Sequence, residues 1–245
     1  MATALIFAGG TGTRMNSKSK PKQFLELYGK PIIIHTLEYF ERHQEVQDIA
    51  VVCLSSWIEE LKESIKKFNL KKVRWIVEGG KSGQESIYNG LQAIYNDCEK
   101  AEDKIVLIHD GVRPLISEQL ITDNIEAVRK FGSAITVGRV KETVVSVDSR
   151  STINEIADRA VARIAKAPQS FYLKDIYKVH KNAIRDGIKE MTDSATLMKY
   201  YGSSLHIVEC GTENIKITTP TDYYIFRAIY EARENSQIFG FEVKQ

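Results

Sequence analysis

The stretch LIFAGGTGTRMNSKSKPKQFLELYGKPIIIHTL, residues 5–37, decides how the chain is read. It opens as a short apolar run suited to a buried strand and breaks into a loop holding Gly9, Gly10 and Gly12. It then carries Arg14, Lys18, Lys20 and Lys22 before turning apolar again at Pro31. Glycines at the carboxyl end of a strand let backbone N–H groups face anionic oxygens with no Cβ in the way. In open α/β sheets this edge is where ligands bind. The spacing is not a P-loop, because no GK[ST] follows. Nor is it GxGxxG, because Arg14 and Met15 stand where the third glycine would fall. Arg14 follows the loop at once, and Lys22 follows Pro21, which restricts the backbone. Both suit fixed cations beside a polyanion such as a nucleoside triphosphate, whereas Lys18 and Lys20 suit a solvated basic loop equally well.

Working outward, β-branched runs alternate with helical patterns. The periodicity predicts strands over Ala4–Ala8, Asp48–Leu54, Val73–Val77, Lys104–His109 and Ser133–Val137. Between them it predicts helices over Pro31–His43, Trp57–Phe68, Ser82–Tyr95 and Glu118–Phe131. This β-α-β-α order implies a mostly parallel, Rossmann-like α/β sheet covered on both faces. At Arg139 the rhythm changes. Glu142–Val147 and Ser151–Ile156 are short, alternating and joined by DSRS, which is hairpin chemistry. The expectation is one domain over 1–245 with 139–160 a protruding β-arm that reaches a second subunit. Beyond it, helices are expected over Lys174–Asp186, Thr192–Tyr201 and Thr219–Asn235. Strands are expected over Ser204–Glu209 and through Lys216.

Composition narrows the class. The chain has 245 residues, a formal net charge of +2 and 43% hydrophobic residues, enough for a large buried core. A charge near balance does not indicate a nucleic-acid partner. Cys53, Cys98 and Cys210 show no CxxC spacing and are odd in number, which suits a reducing compartment. The N-terminus lacks a basic region ahead of its short apolar run, and no apolar stretch approaches the ~18 residues of a membrane span. A cytoplasmic protein is expected.

The segment AGGTGTRM…PKQFLELYGKPIIIHTLEYF resembles the opening signature of the nucleoside-triphosphate nucleotidylyltransferases of glycosyltransferase-A-like fold, and PKQFL is specific to this group. Among them the chain looks like the cytidylyltransferases of sugar-alcohol phosphates. Two branches fit: ribitol-5-phosphate and 2-C-methyl-D-erythritol 4-phosphate cytidylyltransferases. The resemblance covers nearly the whole chain. It implies CTP lying along Ala8, Gly9, Gly10, Thr11 and Gly12, with Arg14, Lys22 and Lys216 as catalytic cations. In EGGKSGQESIYNGL it implies a cytosine contact at Ser86, supported by Gly79 and Gly80; a helix-N-terminal polar residue would look the same. In IVLIHDGVRPLI it implies Asp110 beside Mg²⁺, the nucleotide and the acceptor, while Arg113 is either an acceptor contact or half of a buried ion pair. His109 reads as structural. Thr143, Arg159 and Thr192 are the remaining implied acceptor contacts, with Arg159 crossing a homodimer interface to make a composite site. A plain helix cap at Thr192 would look the same, and a rim lysine on an apolar strand is the structural alternative for Lys216.

Some positions depart from the family pattern. Gly83 stands where an Arg is usual, Gly111 where Ala or Ser is, and Ala167 where a Thr precedes Pro-Gln. Gly111 is expected to widen the site slightly, and Ala167 to remove a hydroxyl from the acceptor-phosphate region. TTPTD in place of Thr-Arg-Pro leans toward the ribitol-phosphate branch. The implied reaction is attack of the acceptor's phosphate oxygen on the α-phosphorus of CTP, with pyrophosphate leaving and no covalent enzyme intermediate. A non-catalytic nucleotide-binding module would not need Lys22, Lys216 and Asp110 together. A nicotinamide-dependent reductase is disfavoured by the missing third glycine.

Overall fold

A computed structural model describes residues 1–9 and 20–239. The elements run β1 (Ala2–Ala8), β2 (Glu26–Leu27), β3 (Lys30–Pro31), α1 (Ile32–Arg42), β4 (Val46–Cys53), α2 (Ile58–Lys67), β5 (Val73–Glu78), α3 (Gly83–Asn96), β6 (Ile105–Asp110), α4 (Glu118–Phe131) and β7 (Ser133–Arg139). They continue with β8 (Val145–Val147), β9 (Ile153–Ile156), β10 (Arg163–Tyr172), α5 (Leu173–Arg185), α6 (Ser194–Tyr200), β11 (Ile207–Glu209) and α7 (Pro220–Phe239). Seven strands form one sheet in the order β11-β7-β10-β6-β1-β4-β5, in which β10 alone is antiparallel to its neighbours.

The pleat of β1 explains the layers. Ala2, Ala4, Ile6 and Ala8 face one side, packing with Ile33 and Leu37 of α1, Leu61 of α2 and Ile121 and Ile125 of α4. Leu5 faces the other, with Ile87 and Leu91 of α3 and Ile176 of α5. Such side chains are each worth roughly 1.5–3 kcal/mol when fully buried. A third, smaller cluster joins Leu27 and Ile32 to Val112, Leu115, Ile217 and Phe226, seating α7 over the end of the sheet.

From β1 the chain winds outward through β4 and β5, then returns to lay β6 on the opposite side of β1. The carboxyl ends of β1 and β6 are therefore a topological switch point, with Phe7 in register with Asp110. A crevice opens at such a point because successive crossovers leave in opposite directions.

The structure departs from the sequence expectations in three places. β10 has no counterpart among the expected strands; its pairing with β7 shifts register between Ala165 and Gln169, around Pro168, so no period-two pattern survives there. The segment around Lys216 is not a strand: Ile217 N–H donates to the Val112 carbonyl (2.9 Å), which belongs to a loop rather than a sheet edge. The arm is shorter than 139–160 at its start, because Arg139 still pairs with Arg163 in the main sheet. β8 and β9 form a separate hairpin whose residues are all exposed. Asp148 closes its turn by accepting from the backbone N–H groups of Arg150 and Thr152.

Candidate active site

The crevice at the switch point holds a cavity of about 380 Å³ whose wall includes Asp110, Arg113, Lys166, Thr192 and Lys216. Asp110 ends β6 and is 4% exposed. Its Oδ2 accepts from Arg113 Nε (2.7 Å), and its Oδ1 pairs with Lys216 Nζ (2.6 Å). Burial pushes the Asp110 carboxyl up, but Lys216 and Arg113 together outweigh it and hold the group below the usual carboxylate range. Arg113 also donates through Nη1 to the Asn214 carbonyl (3.1 Å), while the Asn214 amide donates to the Ala167 carbonyl (2.7 Å). One carboxylate and one asparagine thus fix two cations against β10. Lys216 keeps 38% of its side chain exposed, so it is held at one side and open on the other.

Arg113 thus forms the buried ion pair, and it does so at the cavity wall. The arrangement also bears on Asp110 as a metal ligand. Both carboxylate oxygens are engaged by cations, a setting that repels a dication, so Asp110 fits a magnesium ligand poorly. Among the described residues no cluster of three or more His, Cys, Asp or Glu side chains could hold a metal. His109 behaves as a structural residue: fully buried, it contacts the Arg113 carbonyl through Nε2 (3.2 Å), and burial pushes its imidazole down to about 4.

The side of the crevice at the β1 and β5 ends is built on close backbone approach. Ser86 Oγ accepts from Gly80 N–H (3.0 Å) and donates to the Ser82 carbonyl (2.9 Å). A Cβ on Gly9 or on Gly79 would lie 3.2 or 3.3 Å from that oxygen, so glycine at both positions lets the β1 and β5 ends meet. The cap of α3 is Ser82, which accepts from Glu85 N–H, so Ser86 is not the capping residue. Its donor is used, and one acceptor lone pair remains. Gly83 has nothing within 4 Å of where its Cβ would be; the space an arginine would take stays open beside the cavity. Lys22 opens a short 3-10 turn, Lys22–Phe24, and is 9% exposed. Gln23 ties this turn to the end of β1 by donating to the Ala8 carbonyl (2.6 Å). Gly10, Thr11, Gly12 and Arg14 lie outside the described residues. Lys20 pairs with Glu26 at the surface.

Across the cavity, Thr192 is exposed at the wall and does not cap α6; Asp193 does, accepting from Thr196 N–H (2.8 Å). Gly111 does not widen the site. Its Cβ would point into the packing between β1 and α1, 3.2 Å from Ala8 Cβ. Arg159 and Thr143 are not brought to this cavity within the chain. Thr143 is exposed at the start of the arm, and Arg159 donates to the Lys141 carbonyl beside a separate surface pocket with Arg139 and Arg163. TTPTD is capping chemistry, with Asp222 accepting from the N–H groups of Thr218 and Thr219 at the start of α7.

Sequence reasoning missed Asn214, Gln84 and Lys166. Gln84 donates to the Ile188 carbonyl (2.8 Å) and accepts from Met191 N–H (3.0 Å), clipping the segment before Thr192 to the start of α3. No local pattern announces such a contact across more than a hundred residues. Lys166 could have been found, because it adjoins the unusual Ala167.

A doubly wound sheet with glycine at the β1 end and cations at its switch point suits an enzyme that handles a polyanionic nucleotide. The comparisons make this narrower: the family model described as IspD, 2-C-methyl-D-erythritol 4-phosphate cytidylyltransferase, matches residues 2–232, and the chain belongs to that family of CTP-utilising enzymes. It is 52% identical over 240 residues to a ribitol-5-phosphate cytidylyltransferase of Streptococcus agalactiae serotype V, covering 98% of this chain and 99% of that one. It is 37% identical over 229 residues to a 2-C-methyl-D-erythritol 4-phosphate cytidylyltransferase of Clostridium botulinum strain 657, covering 94% and 97%. The crystal structure of 4-diphosphocytidyl-2C-methyl-D-erythritol synthase from Anaerococcus prevotii superposes with a TM-score of 0.81 at 28% identity, covering 94% and 96%.

Proposed function

We propose that the chain transfers the cytidylyl group of CTP to D-ribitol 5-phosphate, giving CDP-ribitol and pyrophosphate. The observation that carries this acceptor is the 52% identity, over nearly all of both chains, to a ribitol-5-phosphate cytidylyltransferase. The second reading, 2-C-methyl-D-erythritol 4-phosphate, is favoured by the family description and by the 37% relative. The acceptor phosphate oxygen forms a bond to the α-phosphorus as the bond from that phosphorus to the bridging oxygen of the β-phosphate breaks. The electron pair leaves with pyrophosphate. A phosphate monoester dianion is already a nucleophile, so catalysis is positioning and charge neutralisation.

In this reading the triphosphate lies along Gly9 to Arg14, with Lys22 and Lys216 neutralising charge that grows on its oxygens. The free lone pair of Ser86 Oγ suits the exocyclic amine of cytosine, which donates. Asp110 serves as organiser of Lys216 and Arg113. Magnesium, the expected counterion of CTP, would rest on phosphate oxygens.

We further propose a homodimer with composite sites, working in the cytoplasm. A two-stranded hairpin is marginal alone. Here Val145, Val147, Ile153 and Ile156 are 41–63% exposed, an apolar surface that a second subunit would cover while receiving Arg159. Pyrophosphate release with CTP and a panel of phosphorylated polyols tests the acceptor. D-ribitol 5-phosphate should give the highest kcat/KM, and a higher value for 2-C-methyl-D-erythritol 4-phosphate would overturn the assignment. Comparable use of ATP would overturn the cytosine contact.

A further inference from the structure

We infer that Lys166 is an acceptor-phosphate contact of this enzyme, standing in for the hydroxyl that Ala167 lacks. The inference rests on the reading of the cavity as the acceptor site. Lys166 lies on β10, between Ala165 and Ala167, where the pairing with β7 shifts register. All three line the cavity that holds Asp110, Arg113 and Lys216. The side chain of Lys166 crosses directly over Gly138 of β7: a Cβ there would lie 2.9 Å from Lys166 Cε and 3.3 Å from its Nζ. The bare glycine thus leaves the lane in which the lysine lies.

The charges around the cavity say what this lysine lacks. Asp110 gives one oxygen to Lys216 and the other to Arg113. Asp193 gives one oxygen to the α6 cap and the other to Gln169 Nε2 (2.9 Å). Lys166 has no carboxylate partner among the described residues, and its hydrogen bond goes to the Gly211 carbonyl at 3.4 Å. Burial holds its ammonium below the usual lysine range; Cys210 opposes this, and the positive charges of Arg113 and Lys141 add to it. A half-buried cation among other cations is destabilised until an anion arrives, and two of its three donors remain for one. A phosphate monoester dianion supplies the charge and the acceptor oxygens. The side chain runs from β10 over β7, on the far side of β10 from the glycine-lined end of β1, which assigns it to the acceptor rather than to CTP.

The test measures KM for D-ribitol 5-phosphate and for CTP, with kcat, in Lys166→Met, Lys166→Arg, Lys166→Gln and the double variant Lys166→Gln with Ala167→Thr. Lys166→Met should raise the acceptor KM by about 10- to 100-fold, the scale of one charge-assisted hydrogen bond, and leave the CTP KM unchanged. Lys166→Arg should retain part of the affinity, and the restored threonine should recover part of what glutamine loses. An acceptor KM within about twofold of wild type would overturn the inference, as would a rise confined to the CTP KM. A parallel rise in both KM values would show a structural role and also overturn it. If wild type prefers another phosphorylated polyol, the ribitol assignment fails, and Lys166 is tested on that acceptor. A wild type that uses no phosphorylated polyol refutes both.

Discussion

Replacing Asp110 by asparagine should cost both stability and turnover, and the structure sets the scale. The carboxylate is 4% exposed and neutralises Arg113, itself 9% exposed. Removing one partner of a buried pair costs about 3–5 kcal/mol, because the remaining charge is left buried without compensation. Lys216 keeps 38% of its side chain in solvent and can rehydrate, and Arg113 keeps its bond to the Asn214 carbonyl. The lower end, about 3 kcal/mol, is therefore expected, which for a chain of this size lowers Tm by about 6–12 °C.

The pH dependence has a definite sign. The folded-state pKa of Asp110 lies below its ordinary value of 3.8, so its contribution is fully present above that value. It is lost as pH falls through the folded-state pKa. The Tm gap between wild type and Asp110→Asn should be constant from neutral pH down to weakly acidic pH and close only in stronger acid. Circular dichroism melts across that range, with pyrophosphate release at neutral pH, make the assay. Adding Arg113→Met to Asp110→Asn should restore much of the stability by removing the stranded charge, while turnover stays low. A Tm within about 2 °C of wild type for Asp110→Asn, or a gap that widens in acid, would refute the reasoning.

Other consequences are simpler to state. Arg14→Ala and Lys22→Ala should each lower kcat by roughly 10²-fold or more with native circular dichroism, the loss of one preorganised transition-state donor; near-wild-type turnover would remove the residue from the catalytic cations. Ser86→Ala should raise the CTP KM by about tenfold, the scale of one hydrogen bond, with little change in the acceptor KM. It also frees Gly80 N–H, so an unchanged CTP KM would remove Ser86 from the base site. In the proposed composite-site dimer, mixing the Lys22→Ala and Arg159→Ala proteins should restore activity, because each heterodimer would hold one site with both residues. No recovery after confirmed subunit exchange would remove Arg159 from a shared site.

What could be read from the sequence depended on how local each determinant is. The helix Glu118–Phe131 was legible to the residue, because Ser117 caps it and Gly132 ends it in the left-handed region. The strands of the parallel sheet were legible as apolar runs because both faces of the sheet are covered. β10 was not, because its register shift at Ala165–Gln169 interrupts any period. Gly111 was misread for a related reason: whether a missing methyl enlarges a cavity depends on the direction of its Cβ, and here that direction leads to Ala8 and Ile33.

The same distinction runs through the site. The half proposed for the nucleotide is made by chain segments that end strands, and glycines and cations at a strand end are visible in a short window. The half proposed for the acceptor is assembled from β10, the segment before α6, the loop after β6 and the Lys216 segment, held by Asn214, Gln84 and Asp110 across long separations. Asp110 shows the consequence. In the sequence, an aspartate ending a buried strand reads as a ligand for whatever binds there. In the fold, Arg113 and Lys216 converge on it from positions 3 and 106 residues downstream and use both of its oxygens. The negative charge then acts by fixing where two positive charges point. For a reaction whose substrates are both polyanions, that is the more useful placement: a bare carboxylate in the crevice would repel CTP and acceptor alike, whereas a carboxylate enclosed by Arg113 and Lys216 is neutralised and leaves Lys216 open on its far side.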